Sequence, residues 1–131
     1  MFEELREMNL YIRNKQERID ELRSALTSIS VSMGERVQTS PHDKMADLTC
    51  KIIVMENELD AMIDDFADMK ARAKNYIYMV GNEEWQDILY SHYVEFKTFE
   101  EIARNKGVSV GSIKQKNHRG LKILKKVVDV T

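Results

Sequence analysis

Thr98-Phe99-Glu100-Glu101-Ile102-Ala103, then Gly107-Val108-Ser109, then Ser112-Ile113-Lys114: this stretch decides how the C-terminal part of the chain folds. Ala103 is small enough to let two helices approach. Gly107 supplies the backbone freedom that a tight turn needs, and Val108 and Ile113 are placed to plug the angle between the helices. These residue types at this spacing predict a helix-turn-helix, with its second helix shaped to enter a DNA groove.

Further turn and capping signals surround the motif. Thr98 followed by Glu101 predicts a capping box, and Ser109 predicts the cap of a last helix running from about Val110 to Val127. Upstream, Gly81-Asn82 predicts the end of one helix and the cap of the next, with Glu83 and Glu84 favoured by the positive end of its dipole. A short helix, about Glu83 to Val94, should then bury Trp85, Ile88, Leu89 and Tyr93 against Phe99, Ile102 and the inner face of the last helix. Residues 82–131 thus read as a three-helix unit.

Charge is divided between this unit and the rest. The net charge is −2, yet residues 97–131 carry nine Lys and Arg against three acids, so that segment is +6 and the remainder −8. A basic run is more often a solvated surface than a binding face. Here the positive charge falls on the second helix of a helix-turn-helix, where phosphate neutralisation and counterion release would use it.

Residues 1–80 carry a different pattern. Leu5, Met8, Ile12, Ile19, Leu22, Leu26 and Ile29 recur in steps of four and three, with Lys15 the one polar residue in the seam. From Ser28 to His42 the pattern gives way to Gly34, Pro41 and scattered Ser and Thr, which predicts a loop at about 28–42. Ser40 is placed to cap the next helix, Pro41 suits its first position, and Asp43 could complete a capping box. Met45, Leu48, Ile52, Met55, Leu59, Met62, Phe66, Met69, Ala73, Tyr76 and Val80 then keep the heptad alternation to the end of a helix predicted over about 43–80. At 1.5 Å per residue it spans roughly 55 Å, too long for a small domain to cover. The first helix can fold back on it as an antiparallel hairpin, but the first helix is shorter. The uncovered stripe predicts a homodimer or higher homo-oligomer. The fold class is therefore all-α: a long coiled-coil hairpin for oligomerisation, then a helix-turn-helix unit.

Other classes of function find little support. No apolar stretch is long enough to span a bilayer, and the first residues, rich in Glu and Arg, are unlike a secretion signal. A soluble, cytoplasmic protein with no membrane association is expected. Cys50 is the single cysteine and reads as a small, half-buried helical residue. His42, His92 and His118 fall on different elements without metal-ligand spacing, so no metal or other cofactor is expected. Asp64-Asp65 lies on a solvated helix face and Glu100-Glu101 at a helix start, and no nucleophile or phosphate loop accompanies them. The chain is not expected to be an enzyme.

From about Glu84 to Lys125 the sequence resembles region 4 of bacterial sigma factors, the module that reads the promoter −35 element. The matching residues are Ile88-Leu89, Tyr93, Thr98 to Ala103, Val108-Ser109, and Ser112-Ile113-Lys114-Gln115-Lys116-Asn117-His118-Arg119 as the recognition helix. With its heptads and the Arg36-Val37-Gln38-Thr39-Ser40 loop included, the whole chain is similar to short phage and prophage late-gene regulators of the ArpU and RinA type. That resemblance implies a DNA-binding transcription regulator of a bacterial host cell, an activator of late genes, with double-stranded DNA as partner and RNA polymerase as a second one.

Carried over position by position, the resemblance implies that Val110, Gly111, Ser112, Lys114, Gln115 and His118 face base edges, where Lys and Gln suit groove acceptors. It assigns Lys97, Thr98, Lys116, Arg119 and Lys122 to phosphate. The chain departs from the pattern at Val110 and Gly111, where polar residues are usual. Asn117 stands near a usual Leu, Gly120 lies inside the helix, and Phe96 occupies a turn where Gly is common. The competing class is an interaction protein: a coiled-coil adaptor docking on RNA polymerase, or a DNA-packaging component such as a small terminase subunit.

Overall fold

A computed structural model describes residues 2–32 and 41–130. Among these residues there are five helices and no strand: α1 Phe2–Ser32, α2 Pro41–Tyr78, α3 Glu83–Tyr93, α4 Phe99–Lys106 and α5 Val110–Val130. The chain divides into two compact units, residues 8–65 and residues 1–7 with 66–131. α1 and α2 each contribute to both.

In the first unit, α1 and α2 pair antiparallel along the heptad seams. Ile19, Ile52 and Leu59 are buried at the centre, with Ile12, Leu22, Leu26, Leu48 and Met55 packed around them. Lys15, the polar member of the α1 seam, lays its stem along this interface and pairs its ammonium with Glu58. Arg23 pairs likewise with Glu56, whose hydrogen bond and charge push the guanidinium pKa up.

Two expectations for this unit are corrected. Residues 28–32 are helical, because no Gly or Pro occurs before Gly34 and Ile29 continues the apolar spacing with its side chain half-buried. The other end of the expected loop is helical too, since α2 starts at Pro41. Ser40 and the rest of the loop lie outside the described residues. Cys50 is exposed rather than half-buried, pointing away from the face that holds Leu48 and Ile52.

In the second unit the last turns of α2 bury Phe66, Ala73 and Ile77, and Val80 follows them into the core. Leu5 of α1 is fully buried and the Phe2 ring lies 5.4 Å from that of Tyr93. Gly81 (φ 87°) turns the chain, and the Asn82 side chain caps α3 by accepting from the Trp85 amide at 3.1 Å. α3 buries Ile88 and Leu89 and leaves Trp85 and Tyr93 half-buried. α5 packs across both α3 and α4. The interior Gly120 is buried where α5 meets α3: a Cβ there would lie 3.1 Å from Leu89 Cδ1 and 3.2 Å from Trp85 Cβ. That close approach is what a helix-interior glycine permits.

Candidate nucleic-acid interface

α4 starts where the sequence places it. The Thr98 hydroxyl oxygen accepts from the Glu101 amide at 3.1 Å, satisfying one donor of the first turn. At its other end Gly107 takes the left-handed conformation, φ 68° and ψ 32°. The Val108 amide donates to Ala103 O at 3.1 Å and the Gly107 amide to Arg104 O at 3.4 Å. These two bonds form a Schellman turn, for which a residue without Cβ at position 107 is the least strained choice. Ser109 then caps α5, its hydroxyl oxygen accepting from the Ser112 amide at 3.2 Å.

Ile88, Ile102, Ala103 and Ile113 form the core that fixes the angle between α4 and α5, with Phe99 and Val110 against it. Val108 does not plug that angle, being 42 % exposed. As the second residue past α4 it carries the turn outward, and Val110 fills the space instead.

The register of α5 follows from this core. Ile113, Asn117, Gly120 and Leu124 are buried along one side. The opposite side exposes Gly111, Lys114, Gln115, His118, Arg119, Lys122, Lys125 and Lys126, a face without an apolar side chain and with five permanent cations. From position 111 to 125 it extends about 21 Å, more than the roughly 12 Å width of the major groove. A helix so charged can put its first turns over base edges while its distal lysines reach the flanking phosphates.

Gly111, Lys114, Gln115 and His118 therefore lie together on one accessible face with Arg119 and Lys122. Open space surrounds Gly111. Ser112 is half-buried at the edge of the face. Val110 belongs to the core side, three residues before Ile113. Lys116 is turned away as well: its ammonium is hydrogen-bonded to the Glu84 carboxylate of α3. Lys106 at the end of α4 makes a similar pair with Asp87, at 2.7 Å. Lys97 and Thr98 sit in the turn before α4, Lys97 at 3.5 Å from the Glu95 carboxylate and Thr98 exposed. Lys125 and Lys126 were not singled out from sequence, although stepping by three and four from Lys114 and His118 through Lys122 reaches Lys125.

His92 has a structural part in this turn. Its Nδ1 is 2.9 Å from the Lys97 carbonyl oxygen, which can only accept, so the ring donates from Nδ1. The ring stacks on Phe99 at 4.0 Å and meets Tyr93 edge-on at 4.8 Å. Among the described residues no group of His, Cys, Asp and Glu could hold a metal ion, and no helix is long and apolar enough to cross a membrane.

Residues 82–126 match the family model for sigma-70, region 4. The match covers α3, the turn, α4 and most of α5, so this segment is a sigma region 4-like helix-turn-helix of the DNA-binding kind. No curated protein and no solved structure matches the chain.

Proposed function

We propose that the chain is a DNA-binding transcription regulator that reads promoter DNA with α4, the 107–109 turn and α5. The observation that carries this reading is the exposed face of α5, cationic and polar throughout, on a segment similar to sigma region 4. On it Gly111, Ser112, Lys114, Gln115 and His118 face base edges, and Arg119 and Lys122 hold phosphates, joined by Lys125, Lys126 and, from the turn, Lys97 and Thr98. Val110 serves packing, and Lys116 anchors α5 to α3.

The part of the α2 stripe expected to stay free for a second copy is covered within the chain, where Phe66, Ala73 and Val80 are buried. A homo-oligomer that places two reading units on neighbouring half-sites would therefore pair through the outer surface of residues 8–65, where Leu10, Tyr11, Ile53, Val54 and Ile63 are exposed. The resemblance to phage and prophage late-gene regulators favours activation of late genes in a bacterial host, with RNA polymerase as second partner. Binding of full-length Lys114→Ala/Arg119→Ala to its DNA tests the reading. The double variant should lose binding while keeping its far-UV circular dichroism. Undiminished binding by a folded double variant contradicts the assignment, and recovery with polymerase or in a ring-sized oligomer would point to an adaptor or a packaging component.

A further inference from the structure

Phe96 is the one non-glycine residue with positive φ among the described residues, at 60°. A phenylalanine has no local polar group to favour that conformation, and glycine would adopt it without strain. Residues held in such a state tend to gather where the held geometry is used.

What holds this one is visible. The Phe96 ring stacks on Phe66 of α2, centroids 6.2 Å apart and planes within 11°. Phe66 is itself buried, and Lys70 Nζ lies 4.3 Å from its ring centroid. The backbone on either side is fixed as well: the Glu95 amide donates to Tyr90 O at 3.0 Å and the Lys97 amide to Ser91 O at 2.9 Å. With His92 Nδ1 on Lys97 O, the segment 95–98 is fastened to the end of α3 by three bonds and to α2 by one ring. The two residues that follow Phe96 are Lys97 and Thr98, both among the groups assigned to phosphate.

We infer that Phe96, through its stack on Phe66, is a positioning residue for the phosphate-holding turn, fixing where Lys97 and Thr98 are presented beside α4. This rests on the DNA-binding reading above. A glycine at position 96 makes the same turn at lower backbone cost but cannot grip α2, so the turn gains freedom and ordering it on DNA becomes part of the binding equilibrium. The ring thus acts on affinity through Lys97, touching no DNA itself.

The test compares full-length wild type, Phe96→Gly, Phe66→Leu, Lys97→Ala and the double variant Phe96→Gly/Lys97→Ala, by fluorescence anisotropy on one duplex across a salt series and by thermal unfolding. In the wild type, Lys97→Ala should weaken binding about three- to tenfold, the factor of one net hydrogen bond, and lower the salt slope by about one. Phe96→Gly and Phe66→Leu should weaken it by a similar factor, with Phe96→Gly still folded. In the double variant, Lys97→Ala should cost nothing further, the coupling expected of residues that act as one. Wild-type affinity in both ring variants overturns the inference, as does a full and additive effect of Lys97→Ala in the Phe96→Gly background. If Phe96→Gly does not fold, Phe66→Leu decides by the same comparison. Failure of the wild type to bind any duplex overturns the DNA-binding reading, and this inference with it.

Discussion

Asn117 is buried on the core side of α5 with its amide nitrogen 3.4 Å from the Tyr93 hydroxyl, and its amide oxygen has no hydrogen-bond partner. One long bond does not repay the desolvation of a carboxamide, and an unpaired buried acceptor costs about 1–3 kcal/mol. Asn117→Leu, an apolar side chain of similar size, should therefore stabilise the protein by about 1–2 kcal/mol. Urea unfolding followed by circular dichroism checks this through the midpoint at constant slope.

The two glycines of α5 should respond in opposite ways to alanine. At position 111 nothing lies near the added methyl, so Gly111→Ala should stabilise by about 0.5–1 kcal/mol through helix propensity. At position 120 the methyl meets the Cβ of Trp85, which is fixed to the α3 backbone, as well as Leu89. There the steric cost of about 1–3 kcal/mol exceeds the propensity gain, and Gly120→Ala should lower stability by about 1 kcal/mol. Thermal unfolding of the two variants side by side reads both signs.

Lys114 and Lys116 are two residues apart and face different partners, so their substitutions should separate. Lys116→Ala removes a partly exposed pair with Glu84 and should cost at most about 1 kcal/mol of stability, with little change in DNA affinity. Lys114→Ala should leave stability alone and weaken DNA binding. Affinity and urea midpoint, measured on both variants, make the distinction. An effect of Lys116→Ala on the salt slope as large as that of Lys122→Ala would return Lys116 to the phosphate set.

What could be read from the sequence was chemistry that acts locally. Asn82, Thr98, Gly107 and Ser109 begin or end helices through bonds made within a few residues of themselves, and the heptad seams follow from helical period alone. The faces of α5 were harder, because Val110 and Lys116 are drawn inward by Ile88, Ile102 and Glu84, residues of other helices. The passage of α2 from one compact unit to the other at residues 65 and 66 left no trace, since the same apolar spacing runs unbroken through both. Phe96 lies between these cases: the resemblance marks its turn as a glycine position, and only the structure shows what the ring grips.

Removing the hydroxyl of Thr98 should cost stability as well as affinity. It accepts the Glu101 amide, so Thr98→Ala should destabilise by about 1 kcal/mol, and Thr98→Ser should restore most of the loss. Denaturant midpoints for the two variants check the cap independently of any DNA.

Sequence-specific reading of DNA by the cationic face of α5 underlies the proposed regulator. Its most direct test is fluorescence anisotropy of the full-length protein on duplex DNA from its own genomic neighbourhood, at two salt concentrations, with unrelated DNA as competitor. Binding should resist displacement by unrelated DNA at equal concentration and weaken steeply with salt, as several neutralised phosphates require. Equal displacement by unrelated DNA, or no binding at low salt, would contradict that reading.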